Sequence, residues 1–128
     1  MKIHIGPGSN WYSYCNKNNI IDWKTIDIDP KRGNFTVNFN KNFNKLPFKS
    51  DSIDAMYASH IFEHISVYVT PILFKECYRV LKKGGYLRII TPNPLISMKE
   101  YLNNNTDFPL FKRRKKRNPQ FTLFECLR

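Results

Sequence analysis

The sequence predicts an α/β fold, an open and largely parallel sheet of about five short strands with flanking helices, and three observations carry that prediction. Short strand-like runs recur along the chain, at Lys2–Ile5, within Ile20–Ile28, from Phe35, at Ile53–Ser59 and at Tyr86–Thr91. They are separated by loops or helix-period segments rather than two-residue hairpins, and parallel strands need such crossovers. The chain has 128 residues, enough for one apolar core and too few for two.

Each element follows in order. Lys2 to Ile5 alternates polar and apolar and stops at Gly6-Pro7-Gly8-Ser9-Asn10, a turn-rich stretch. Ser9 or Asn10 is placed to cap a short helix through Asn16, against which the aromatic Trp11, Tyr12 and Tyr14 weigh. The second strand ends at Asp29-Pro30, and Phe35, Val37, Phe39 and Phe43 alternate with polar residues as a third strand with an irregular approach to Leu46-Pro47-Phe48. After a turn at 49–52 comes the fourth strand. From Ile65 onward Val67, Ile72, Leu73, Cys77, Val80 and Leu81 fall near helical spacing, and Lys82-Lys83-Gly84-Gly85 supplies a basic last turn with glycine beyond it. The fifth strand closes at Pro92-Asn93-Pro94. Residues 95–103 form a further helix, 104–119 an exposed loop, and Phe121, Leu123, Phe124 and Leu127 a terminal amphipathic turn. The expected division is a domain over 1–103 and a basic tail over 104–128.

Charge is concentrated rather than spread. Of a formal +11, six positives stand consecutively at Lys112, Arg113, Arg114, Lys115, Lys116 and Arg117. Such a run is a solvated stretch or a phosphate-contacting arm for nucleic acid, with Phe108, Phe111 and Phe121 nearby to stack on bases or to bury the tail. Cys15, Cys77 and Cys126 are odd in number and far apart, which fits buried free thiols rather than a bridge or a zinc knuckle. No apolar run reaches the roughly 20 residues of a membrane helix, and Met1-Lys2-Ile3-His4-Ile5-Gly6 lacks the apolar stretch of a signal peptide. The expectation is a cytoplasmic protein with no membrane partner.

The chemistry sits in a strand, then Gly6-Pro7-Gly8, then a second strand ending in Asp27. Glycines let a backbone approach a ligand closely, and a carboxylate at the end of the next strand can grip ribose hydroxyls. Read in order, His-Ile-Gly-Pro-Gly, Thr-Ile-Asp-Ile-Asp-Pro, the stretch from Leu46-Pro47-Phe48 to His60-Ile61-Phe62-Glu63-His64, and Lys-Glu-Cys-Tyr-Arg-Val-Leu-Lys-Lys-Gly-Gly-Tyr-Leu-Arg-Ile-Ile-Thr-Pro form a series. This series resembles the class I S-adenosylmethionine-dependent methyltransferases, in the small methyltransferase type 11-like subgroup with a shortened connection between the first two strands. The resemblance covers about residues 2–102 and implies a Rossmann-like sheet with S-adenosylmethionine as cofactor, S-adenosylhomocysteine as product and no metal. By position it implies that Gly6, Pro7 and Gly8 pass beneath the methionine part and that Asp27 accepts from the ribose. It places Ile28 on the adenine, Asn42 and Phe43 at the adenine side, and Ser59 and His60 at the reaction centre, with His60 as candidate base.

The departures are specific. The family's acidic residue near the adenine amino group is replaced by Asn40-Lys41-Asn42-Phe43-Asn44-Lys45, and the acidic residue before the first glycine by His4-Ile5. The usual two C-terminal strands are not evident after Pro94, so a sheet truncated relative to the seven-stranded family pattern is expected, with the acceptor-binding end absent, heavily rebuilt, or completed in a homodimer through 95–128. The alternative function is a catalytically inactive binding module acting as a partner or nucleic-acid-binding subunit. A competing pattern, His60-Ile61-Phe62-Glu63-His64, matches the H-x-x-E-H of inverted zinc peptidases, which needs both histidines on one helix face and a third ligand downstream. Glu76 lies only twelve residues on, inside the next predicted helix, and Glu100 and Glu125 have no supporting motif, so no metal is expected.

Overall fold

A computed structural model of the chain describes residues 1–8, 11, 17, 22–120 and 122. It separates into two compact units, Met1–Thr91 and Pro92–Arg128. The helix expected near 95–103 therefore groups with the C-terminal unit.

In the first unit five strands run parallel in the order β3-β2-β1-β4-β5, the open α/β sheet that the sequence predicts. β1 (Lys2–Ile5) is central, between β2 (Trp23–Asp27) and β4 (Ile53–Ser59). Ile3 and Ile5 are fully buried on one face of β1, and His4 is buried on the other. β3 is Phe35–Thr36 and β5 is Leu81–Ile90. The chain builds outward from β1 through β2 to β3, then returns to β1's other flank for β4 and β5. Strand order reverses there, and in open α/β sheets ligands are held at the carboxyl ends of the strands beside such a reversal.

The third strand is shorter than its alternation suggests. Asn38 Oδ1 accepts the Asn40 N–H at 2.9 Å, a local turn that competes with the ladder. Phe39 and Phe43 still enter the core, but from a loop, with ring centroids 5.1 Å apart.

The helix α1 covers Thr70–Val80, five residues later than the spacing from Ile65 indicates. Pro71 fits the first helical turn, and before it the Ser66 carbonyl accepts from Val69 and Thr70 in a separate turn that leaves Val67 exposed. Leu73, Cys77 and Val80 make the buried stripe, each large aliphatic contributing about 2 kcal/mol. α1 stops at Val80, since Leu81 is already extended. Lys82 and Lys83 thus belong to β5 and not to a helical last turn. The β4–β5 register shifts between Ile53 and Ala55, and Gly84 (φ +81°) and Gly85 lie in the surplus β5 segment. A Cβ on Gly85 would lie 3.1–3.2 Å from the carbonyls of Asp54 and Ile53.

α1 is tied to the crossover that enters β4. Glu76 Oε2 accepts the Leu46 N–H at 2.7 Å, and Arg79 donates to the Phe48 carbonyl at 2.9 Å. The two side chains pair with each other at 2.6 Å, and that bond with Arg79 holds the Glu76 carboxyl below its usual range.

In the second unit, α2 (Pro94–Leu102) is capped by Asn93, whose Oδ1 accepts the Leu95 N–H at 3.1 Å. The basic run is not a loop. It lies in α3 (Pro109–Arg117), where Pro109 starts the helix, Phe111 is buried beside Phe108 and Leu110, and the cations of the last turn complement the helix dipole. The helix proposed through Asn16, the terminal amphipathic turn, Cys15 and Cys126 lie outside the described residues. Cys77 is buried, and desolvation pushes its thiol up to about 12. Among the described residues, no helix is long and apolar enough to cross a membrane.

Candidate functional site

β1 leaves the sheet through Gly6-Pro7-Gly8. The Gly6 N–H still bonds the Ile26 carbonyl at 2.8 Å, so the turn begins while registered on β2. Gly6 and Gly8 have φ of +63° and +64°, a region costing about 1–2 kcal/mol for residues with a Cβ. A Cβ on Gly6 would sit 2.9 Å from Ile61, whereas one on Gly8 would meet nothing within 4 Å among the described residues. Among those residues Gly8 is uncovered and Gly6 is covered.

On β2, Asp27 is only 8% exposed. Its Oδ1 accepts the Asp29 N–H at 3.0 Å, which fixes the carboxylate, and its carbonyl accepts the Val37 N–H at 3.0 Å. Gly6, Gly8, Asp27 and Ile28 line one cavity of about 180 Å³ at the carboxyl ends of β1 and β2. Sequence reasoning missed Asn38 and Ile61, which line it too, and read His64 as packing or capping its helix, whereas it also lines the cavity. The readable signal for Asn38 is its place just past the end of β3, at the same sheet edge as Asp27. Asn42 and Phe43 instead line a separate, larger groove of about 820 Å³.

Pro7, Ser59 and His60 do not line the small cavity. Ser59 ends β4, and His60 follows with φ +54°, its N–H donating to the Ile90 carbonyl at 2.9 Å. A short 3-10 turn, Phe62–His64, brings Glu63 Oε1 to 3.2 Å from His60 Nδ1. That leaves Nε2 as the imidazole's other polar atom, on an exposed side chain. The same turn answers the H-x-x-E-H pattern: His60 lies before a single 3-10 turn, so the two histidines do not share an α-helical face. Among the described residues no group of three His, Cys, Asp or Glu side chains is placed to hold a metal ion.

His4, where the family pattern is acidic, packs edge-on against Trp11 (centroids 4.2 Å) and Tyr57 (4.8 Å). Among the described residues neither ring nitrogen has a hydrogen-bond partner, and desolvation pushes the imidazole down to about 4. It is a neutral element of an aromatic cluster.

Residues 3–89 match the family described as "Methyltransferase domain". No curated protein gave a match. Among solved structures, a SAM-dependent methyltransferase from Archaeoglobus fulgidus is similar at 21% identity and a TM-score of 0.60, over 80% of this chain and 50% of that one. An S-adenosylmethionine-dependent methyltransferase from Mesorhizobium loti is similar at 18% identity and 0.54, over 73% and 47%. A chain of the Haloferax volcanii complex containing the Trm112 methyltransferase activator is similar at 18% and 0.54, over 80% and 50%. These likenesses establish the fold. The chain spans about half the length of the solved structures it matches.

Proposed function

This chain belongs to the methyltransferase-domain family, and we propose that it binds S-adenosylmethionine at the carboxyl ends of β1 and β2 and positions it for methyl transfer. The observation that supports this most is the meeting of the Gly6-Pro7-Gly8 turn with the Asp27 carboxylate at one cavity, beside the reversal of strand order.

The lining suits a nucleoside. Asp27 offers a fixed carboxylate to vicinal hydroxyls, Ile28 an apolar surface for a flat ring, and Asn38 an amide that can accept or donate. The room over Gly8 among the described residues suits the approach of a ligand to backbone. The cavity is smaller than the roughly 300 Å³ at which small-molecule sites begin, and Ile61 lines it beside Gly6.

When bound, the cofactor supplies an electrophilic methyl group on a sulfonium, and transfer is an in-line displacement governed by positioning. The chain's own residues then hold the ribose at Asp27 and leave backbone room at Gly8. In this reading His60, oriented by Glu63 through Nδ1, takes a proton at Nε2 from an acceptor hydroxyl or amine that must lose one. The acceptor is unassigned.

Thermal shift tests the reading. A ligand at 100 times its Kd stabilises by about 2.7 kcal/mol, several degrees for a domain of this size. S-adenosylhomocysteine should raise the melting temperature of the wild type and raise that of Asp27→Ala clearly less at the same concentration. A folded wild type unmoved by saturating ligand would contradict the reading and favour a binding module on the same fold.

A further inference from the structure

The larger groove carries chemistry unlike that of the cofactor cavity. It is formed by the segment that descends from β3 towards β4 together with α1, and its volume is about 820 Å³. Lys41, Lys45 and Lys49 line it, with Asn38, Asn42 and Asn44 between or beside them. All three lysines are exposed, and among the described residues none is in an ion pair. Among the described residues no carboxylate lines the groove. Glu76 lies next to it and feels the charge of Lys45, but its oxygens are engaged by Leu46 and Arg79. Arg79, the fourth lining cation, is likewise held by Glu76 and by the Phe48 carbonyl.

Three exposed ammonium groups line one concavity, among the described residues only Lys45 within reach of a carboxylate's field, and an anion with several charges suits such a lining. We propose that this groove is a docking site for single-stranded nucleic acid. Lysines bind successive phosphates as point charges, and asparagine amides carry both donors and acceptors for sugar and base edges. The lysines and asparagines interleave along one segment, which suits a strand laid along the groove with its phosphates and base edges both in reach. The cofactor cavity adjoins the groove, since Val37 and Asn38 line both. The proposal rests on the groove alone and does not require that the cofactor bind.

The test is fluorescence anisotropy of a labelled oligouridylate of about 15 nucleotides, within the site sizes that single-strand binders cover, titrated with the full chain across a salt series. Because α3 also carries cations, the variants are Lys41→Gln/Lys45→Gln/Lys49→Gln, the matching triple Lys→Arg, and a chain with 112–117 neutralised. Loss of three phosphate contacts lowers the slope of log affinity against log salt by about 2. The expected result is that fall in the Gln triple, in the wild-type background and in the α3-neutralised one, with the Arg triple retaining wild-type binding. The proposal is overturned by an unchanged slope in a folded Gln triple, by absence of binding at low salt, or by binding lost only on neutralising 112–117. It is also overturned if the Gln triple loses binding to phosphatidylserine vesicles but not to the oligonucleotide.

Discussion

Ile61 closes over Gly6: its Cδ1 and Cγ1 atoms lie 2.9 Å from the point a β-carbon on Gly6 would occupy. One residue comes from the turn after β1 and the other from the turn after β4, so the contact joins the two strand ends across the reversal of strand order. This separates two reasons for glycine at position 6, its backbone angle and the space above it.

Gly6→Ala should therefore cost about 2–5 kcal/mol, the sum of a left-handed penalty and overpacking against Ile61. In an Ile61→Ala background the same change should cost only about 1–2 kcal/mol, because the steric part is gone. Urea unfolding of the four chains measures the coupling. Additive effects would show that Ile61 yields freely and that only the φ of Gly6 matters.

His60 sits at φ +54° without being glycine. His60→Gly should unfold later than His60→Ala by about 1 kcal/mol, since only the latter keeps a Cβ in the left-handed region. Non-glycine residues held in that region cluster where a side chain is needed for function. Equal stability of the two variants would remove the argument that the turn is strained in favour of the imidazole.

His4 makes stability depend on pH. Its folded value is about 4, against about 6.5 for an unfolded imidazole, so between those limits the unfolded chain binds a proton that the folded chain does not. The stability linked to His4 is complete above about pH 6.5 and is lost as pH falls towards 4. His4→Phe, which suits the ring cluster of Trp11 and Tyr57, should flatten the fall in melting temperature over that window. Parallel curves for the two proteins would mean that His4 finds a partner when protonated.

The strands were legible because their signals are local. Lys2–Ile5 and Ile20–Ile28 carry their own apolar pattern and turn residues, and Gly6, Gly8 and Asp27 follow from where those strands end, while Ile28 followed from the family resemblance. What was not legible depends on contacts distant in sequence. Phe39 and Phe43 alternate like a strand yet pack from a loop, because Asn38 captures the Asn40 N–H. Lys82 to Gly85 read as a helix terminus, and the register of β5 against β4 makes them a bulge. The basic run read as a loop on charge repulsion alone, while Phe111 and the favourable last-turn position of the cations make it a helix. Ile61 and His64 reach the cavity only through the 3-10 turn, for which the sequence offers no periodic sign.

The central claim is that Asp27 and the glycine turn hold a nucleoside-bearing cofactor. Calorimetric titration of S-adenosylhomocysteine into the wild type and Asp27→Ala tests it most directly. The account predicts saturable one-to-one binding, weakened about 10- to 100-fold or more when the charged acceptor is removed. Equal affinity in the two proteins, or no heat of binding to a folded wild type, would contradict it.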